Sequence, residues 1–244
     1  GGPEGHRRNG WLTSYSAPAQ VAASRGYAVF FPNYRGSTGR GVAFSKLGQN
    51  DAAGAEFNDL VDAVDHLVGT GLVDRDRVGI TGGSYGGYAS AWGATYYSER
   101  FAASVMFVGI SNKLSKGMTT EIPVEDIMVH TRFKPYTNWQ FSLERSPIFN
   151  VEKCRTPLLI AGGTADTRVH PSQSLQLFRA LKLIGKTPVR YVRYPGEKHG
   201  NRRAAARDDY ARRLMRWMDH FVRDGNTELP PPELESVGGA TAME

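Results

Sequence analysis

The chain has 244 residues, of which 40% are hydrophobic and 22% charged, as is ordinary for a soluble globular protein. This length suits a single α/β domain with a substantial core. No apolar run reaches the roughly 18 residues that a membrane span requires, and no signal peptide is visible at the start. The sole cysteine, Cys154, excludes an internal disulfide but leaves the compartment open between the cytoplasm and the periplasm or exterior.

The formal net charge of +6 is concentrated late in the chain. Nucleic-acid binding would require interleaved aromatic residues or a recognised module, and this segment has neither. Aspartates alternate with the basic residues, which favours a solvated helix face, with a domain interface as the alternative. The arginines concerned are Arg202, Arg203, Arg207, Arg212, Arg213 and Arg216.

Predicted helices and strands alternate along the chain. Helices are expected over residues 18–25, 53–68, 85 onward, 173–184 and 204–222. Buried strands are expected over residues 27–31, 78–81, 104–108, 156–161 and 189–194. Residues 112–150 lack clean periodicity and are interpreted as an irregular insertion with short helical pieces. The order of elements predicts an α/β fold with a mostly parallel sheet covered by helices on both faces.

The composition changes near residue 225. Residues 1–224 show no internal repeat and are interpreted as one domain, which begins with a loop at Gly1-Gly2-Pro3-Glu4-Gly5. From Gly225 the sequence is rich in proline, glycine and glutamate. Residues 225–244 are therefore predicted to form a flexible C-terminal tail.

A glycine-packed turn joins a short apolar strand to a helix. Ser84 stands at its apex, with Gly82 and Gly86 in the G-x-S-x-G spacing of a nucleophile elbow. Small neighbours let the strand and the helix approach closely, and the turn pushes the serine hydroxyl out of the sheet. The N–H of Tyr85 lies at the helix N-terminus, where it can donate to a developing oxyanion. The turn therefore predicts a nucleophilic serine, against the alternative of a structural serine in a glycine-rich turn.

Two further residues follow predicted strands closely. Asp166 comes after the strand that ends near residue 161, and His199 after the strand that ends at residue 194. In a parallel sheet, chemistry collects beyond the C-terminal ends of the strands. The order Ser84, Asp166, His199 is that of an α/β-hydrolase triad, in which the histidine moves the serine proton and the aspartate orients the imidazole. His170, beside Asp166 at a helix start, is the rival histidine and is interpreted as structural.

Four short motifs carry a resemblance to a known family. They are Gly-Gly-Ser-Tyr-Gly-Gly-Tyr at 82–88, Asn-Tyr-Arg-Gly-Ser-Thr-Gly at 33–39, Gly-Thr-Ala-Asp at 163–166 and Lys-His-Gly at 198–200. Together they resemble the catalytic domain of the prolyl oligopeptidase family of serine peptidases, with the dipeptidyl-peptidase and acylaminoacyl-peptidase branches nearest in pattern. The resemblance covers nearly the whole chain up to about residue 222, and it implies the α/β-hydrolase fold.

The resemblance also implies elements outside this sequence. Family members carry a β-propeller before the hydrolase domain, so an upstream propeller is expected in the parent chain. In the family, the Gly-Gly-Pro that opens this chain follows a central strand and a His or Tyr of the oxyanion hole. The domain is therefore expected to be truncated at its N-terminus. A peptide substrate is the expected partner and a homo-oligomer is left open, whereas no nucleic-acid or membrane partner is expected.

The family's pocket residues can be carried over in part. The resemblance leaves Tyr85, Val169 and Ile110 as candidate walls of the substrate pocket. Arg35 is interpreted as a brace of the loop near the active site, against the alternative of a direct role in binding the substrate. Residues 109–115 lack the aromatic residues that help build this pocket in the dipeptidyl-peptidase branch, which argues against dipeptidyl-peptidase specificity.

The predicted function is that of a serine-type peptidase, which hydrolyses short peptides through an acyl-enzyme on Ser84. A carboxylesterase of the same fold is the enzymatic alternative, because the same triad attacks esters, which have an easier leaving group. A non-catalytic fragment that retains the fold is the alternative from another class. No metal-ligand cluster or nucleotide-binding loop is recognised in the sequence, so no metal or other cofactor is expected.

Overall fold

The computed structural model describes residues 5–8 and 10–234, and within these residues four strands form one parallel sheet. Their spatial order is also their order along the chain, and helical segments connect each strand to the next. The strands are β1 (Gly79–Gly83), β2 (Ala103–Phe107), β3 (Leu158–Gly163) and β4 (Val189–Tyr194).

Helices surround this sheet. None of those in the described part of the chain is long and apolar enough to cross a membrane. The α-helices are α1 (Ala19–Ser24), α2 (Val42–Ser45), α3 (Ala55–Gly69), α4 (Tyr85–Thr95), α5 (Lys113–Thr119), α6 (Pro123–Glu125), α7 (Trp139–Glu144), α8 (Ser172–Ile184) and α9 (Ala204–Met218).

Side chains of the two central strands alternate between two apolar layers, because successive residues of a strand point to opposite faces. On one face, Val105 and Leu159 pack with side chains of α9 such as Trp217. On the other face, Met106 and Ile160 pack with side chains of α4 and α8. Every residue of β2 and β3 is buried, as is usual for the central strands of a parallel sheet. The predicted sheet with helices on both faces is thereby confirmed.

The strand predicted over residues 27–31 is wrong. These residues lie outside the sheet, and Val29 and Phe30 are 42% and 54% exposed. An extended apolar segment becomes a strand only where a neighbouring strand satisfies its N–H and C=O groups. Among the described strands, none pairs with this segment. The other predicted strands form, with ends that differ by at most two residues from those expected.

The insertion at residues 112–150 is irregular, as predicted, and a buried ionic cluster holds it together. Asp126 Oδ1 accepts hydrogen bonds from Lys113 Nζ at 2.7 Å and Lys116 Nζ at 3.0 Å, and lies 3.3 Å from His130 Nδ1. All four residues are buried. Burial acts to raise the pKa of Asp126, but the two ammonium groups and the imidazole lower it well below its usual range. The cluster therefore ties α5 to the π-helical turn that follows α6.

The C-terminal segment begins against α9 and β4. Main-chain carbonyls of residues 230–233 accept hydrogen bonds from three arginines of these elements, Arg190, Arg213 and Arg216. The flexible tail at 225–244 stays a prediction, since residues 235–244 lie outside the described part of the chain. The predicted loop at the start of the sequence also lies outside it, except for Gly5.

Candidate active site

The carboxyl ends of three strands carry the three residues of the predicted triad. β1 ends directly before Ser84, Asp166 follows β3, and His199 follows β4. Because the strands are parallel, the loops after them lie at the same edge of the sheet. The structure brings the three side chains together at this edge.

Ser84 occupies a strained turn between β1 and α4. Its backbone has φ 59° and ψ −118°, a conformation that a residue with a side chain rarely adopts. Its N–H donates to the carbonyl of Phe107 at 3.0 Å, and its own carbonyl accepts from the N–H of Tyr88 at 2.9 Å. A Cβ on Gly82 would lie 2.6 Å from main-chain atoms of Gly86, so the turn can close only if residue 82 is glycine.

The variant Gly82→Ala is expected to lower the free energy of unfolding by roughly 1–3 kcal/mol, because the added methyl group must push the backbone at Gly86 aside. Equilibrium unfolding in urea measures this loss. Gly69→Ala is the matched control, since Gly69 ends α3 and a Cβ there would meet no atom within 4 Å. Equal stability of the two variants would contradict the close approach inferred at the turn.

His199 links Ser84 to Asp166 through a continuous line of hydrogen bonds. His199 Nε2 lies 2.8 Å from Ser84 Oγ, and His199 Nδ1 lies 2.8 Å from Asp166 Oδ2. A carboxylate only accepts, so Nδ1 is assigned the ring proton and Nε2 accepts from the serine hydroxyl. The other oxygen of Asp166 accepts from the N–H groups of Arg168 and Val169 at 2.9 and 3.0 Å. Asp166 is buried and fixed by these bonds, and it sets the orientation of His199.

Tyr85 places two different groups beside Ser84. As the first residue of α4, it has an N–H with no acceptor inside the helix, at the positive end of the helix dipole. Its ring is buried in an apolar cluster that also contains Val169 and Ile110. The three predicted walls of the substrate pocket therefore lie in one cluster. Its other buried members are Ala53, Phe57, Tyr88, Ala89 and Trp92.

Comparison with known proteins identifies the family of the chain. The sequence model that describes the prolyl oligopeptidase family matches residues 13–225. The chain belongs to the prolyl oligopeptidase family. Dipeptidyl aminopeptidase BIII of Pseudoxanthomonas mexicana is 39% identical over 192 residues, which are 76% of this chain and 28% of that protein. The acylamino-acid-releasing enzyme of Rattus norvegicus is 30% identical over 224 residues, which are 88% of this chain and 30% of that protein.

A solved structure of the same lineage confirms the α/β-hydrolase fold. It is an acylaminoacyl peptidase in complex with Z-Gly-Gly-Phe-chloromethyl ketone, with a TM-score of 0.82 and 28% identity. The match covers 96% of this chain and 37% of that one. This member of the prolyl oligopeptidase family thus spans between 28% and 37% of the length of these three proteins.

In this family member the loop that carries His199 is braced from two sides. The buried carboxylate of Glu197 accepts from the main-chain N and the Nε of Arg203, at 3.2 and 2.7 Å. On the other side of His199, the N–H of Asn201 donates to the hydroxyl of Tyr15 at 2.7 Å. These contacts hold the imidazole where it meets the serine.

The rival histidine lies outside the hydrogen-bonded line. His170 is exposed, and its Nδ1 pairs with Ser172 Oγ at 2.9 Å. The predicted brace, Arg35, binds Asp59 of α3 through its main-chain N–H at 2.8 Å and its Nε at 2.9 Å. The loop at 33–39 is thereby tied to α3, which agrees with the predicted bracing role.

Two buried carboxylates near the site were missed by the sequence interpretation. They are Glu56 and Glu197, which are 1% and 3% exposed. A signal for Glu56 was present, since it lies one residue before Phe57 and four before Leu60 in the apolar stripe of α3. A carboxylate on the buried face of a helix needs a hydrogen-bonding partner inside the protein. Glu197 had no such signal, because it stands in a loop without periodicity.

Proposed function

We propose that the protein is a serine-type peptidase that hydrolyses short peptides through an acyl-enzyme on Ser84. The observation that carries the proposal is the pair of 2.8 Å hydrogen bonds that runs from Asp166 through His199 to Ser84. Ser84 is the nucleophile, and His199 is the general base and then the general acid. Asp166 orients the imidazole and stabilises its protonated form.

In acylation, Ser84 Oγ attacks the carbonyl carbon of the scissile peptide bond while His199 Nε2 takes the hydroxyl proton. The carbonyl oxygen becomes an oxyanion, to which the N–H of Tyr85 donates. One donor of this kind is worth about 100- to 1000-fold in rate. The C–N bond then breaks, and His199 gives its proton to the leaving amine, so that the acyl group stays on Ser84.

Water completes the cycle by the reverse sequence of steps. His199 takes a proton from a water molecule, whose oxygen attacks the acyl carbon. The ester bond to Ser84 breaks, and His199 returns the proton to Ser84 Oγ. Each turnover consumes one water and releases one amine and one carboxylic acid, and Asp166 stays ionised throughout.

Two observations favour peptides over other acyl compounds as substrates. The relatives bear the names dipeptidyl aminopeptidase and acylamino-acid-releasing enzyme, and the related structure holds Z-Gly-Gly-Phe-chloromethyl ketone. The predicted pocket walls Tyr85, Val169 and Ile110 lie in one apolar cluster, which would suit an apolar side chain next to the cleaved bond. Short peptides with a free or an acylated N-terminus are therefore the proposed substrates, and an upstream β-propeller and a homo-oligomer stay predictions.

A comparison of amide and ester substrates in the natural full-length protein tests the proposal. Dipeptidyl and N-acetyl-aminoacyl p-nitroanilides supply the amides, and p-nitrophenyl butyrate supplies a simple ester. A peptidase turns over the amides, whereas a carboxylesterase hydrolyses the ester alone. A fluorophosphonate probe read by mass spectrometry is expected to modify Ser84. Absence of an adduct on Ser84 would reject the catalytic role and favour a non-catalytic one.

A further inference from the structure

Glu56 is a buried carboxylate that the mechanism above does not use. It lies in the first turn of α3 and is 1% exposed. Its Oε1 accepts a hydrogen bond from the N–H of Ala53 at 3.0 Å and a second one from the hydroxyl of Tyr85. Its Oε2 is buried without a hydrogen-bond partner among the described residues. Burial of a carboxylate costs free energy, so its presence on the apolar face of α3 requires a specific reason.

The chain before α3 is shaped around this carboxylate. Ala53 has φ 57°, a left-handed conformation that is strained for a residue with a side chain, and this conformation delivers its N–H to Glu56. A Cβ on Gly48 would lie 2.8 Å from Glu56 Oε2, so the preceding loop closes directly over the carboxylate. Asp51 accepts from the N–H of Ala55 at 2.9 Å and fixes the start of the helix. The segment that precedes α3 therefore holds Glu56 in place.

The hydroxyl that donates to Glu56 belongs to Tyr85, the residue that follows the proposed nucleophile Ser84. The Tyr85 ring packs against Phe57 and Tyr88, with centroids 5.8 and 5.3 Å apart, and against His130 at 5.1 Å. Its hydroxyl is bound to Glu56, so the side chain is restrained along its whole length. The N–H of the same residue is the proposed oxyanion donor, and its ring is a proposed pocket wall. Any shift of the ring therefore moves groups that the reaction needs.

We propose that Glu56 is a positioning residue for the reaction at Ser84. By binding the hydroxyl of Tyr85, it fixes the ring that forms a wall of the substrate pocket and the N–H that receives the oxyanion. This inference rests on the proposed function. It is a role exerted through Tyr85, without contact between Glu56 and the substrate.

Burial and hydrogen bonding shift the pKa of Glu56 in opposite directions. Burial raises its pKa to about 7, while the bonds from Tyr85 and Ala53 and the charge of Lys113 oppose this shift, and Asp51 adds to it. The carboxylate in turn contributes, after burial, to raising the pKa of Tyr85, so the tyrosine stays a neutral donor. A hydrogen bond from a neutral hydroxyl to a carboxylate is stronger than one between neutral groups.

A double-mutant cycle in the natural full-length protein tests the proposal. Glu56→Leu removes the acceptor at similar volume, Glu56→Gln keeps an acceptor oxygen, and Tyr85→Phe removes only the donor. Glu56→Leu and Tyr85→Phe are each expected to lower kcat on a peptide p-nitroanilide by about 10- to 100-fold, with a smaller change in KM. The double variant is expected to lose no more than either single variant, because both remove the same bond. Glu56→Gln is expected to retain most of the activity.

Controls separate positioning from folding. Glu99→Leu is the matched control, since Glu99 is exposed in the turn that follows α4. Additive losses in the cycle, or wild-type kcat in Tyr85→Phe, would overturn the proposal.

Should Glu56→Leu fail to fold, Tyr85→Phe decides alone, because it breaks the same hydrogen bond from the other end. If the fluorophosphonate does not modify Ser84 in the wild-type protein, the proposed function fails; if it does and the cycle is additive, only the role of Glu56 fails.

Discussion

Replacement of Ser84 by alanine is expected to lower kcat for a peptide p-nitroanilide by about a million-fold. Without the serine hydroxyl, no acyl-enzyme can form, and only substrate binding and oxyanion stabilisation remain. His199→Ala is expected to cost about as much. The double variant should lose little more than either single one, because the two residues act as a unit. Steady-state kinetics of the natural full-length protein, with active-site titration by the fluorophosphonate, measure these losses.

A serine far from the site supplies the control for this experiment. Ser24 is exposed on α1, and its hydroxyl donates to the carbonyl of Val21 at 2.8 Å, its one hydrogen bond within the described part of the chain. Ser24→Ala is therefore expected to keep wild-type kcat and to leave the labelling of Ser84 unchanged. Turnover by Ser84→Ala within 100-fold of the wild-type value would contradict the assignment of the nucleophile.

The proximity of the three proposed triad residues could be predicted because each of them adjoins a regular element. Ser84 lies in a spacing of glycines that only a tight strand-to-helix turn requires, and the 2.6 Å approach at Gly82 explains that requirement. Asp166 and His199 follow apolar strands whose residues are easy to recognise. Parallel strands bring their carboxyl ends to one edge, so position in the chain was enough to predict proximity in space.

Contacts between distant segments could not be predicted in the same way. Glu56 and Tyr85 are 29 positions apart, and nothing in either local pattern indicates that their side chains meet. The segment at 27–31 has the composition of a strand, yet strand formation depends on a pairing partner that local composition does not reveal. The bonds from arginines to the carbonyls of residues 230–233 were missed for a similar reason. A stretch rich in proline carries no periodic signal.

Asp166→Asn is expected to lower kcat by about 10,000-fold, while the fold and KM change little. Asparagine keeps an oxygen for the N–H groups of Arg168 and Val169, so the loop after β3 retains its anchor. Its amide nitrogen, however, replaces the Oδ2 that lies 2.8 Å from His199 Nδ1. A donor at this place favours the tautomer with the proton on Nε2, which cannot accept the proton of Ser84.

Asp166→Asn is expected to change the tautomer of His199 and to leave the stability of the fold unchanged. The variant is expected to unfold in urea at the same midpoint as the wild-type protein, and to react with the fluorophosphonate far more slowly. Asp76→Asn is the matched control, since Asp76 is exposed in the loop between α3 and β1, and it should keep wild-type kcat. A kcat for Asp166→Asn within 10-fold of wild type would mean that His199 is oriented without the carboxylate. The bracing contacts of Glu197 and Tyr15 would then have to hold the imidazole alone.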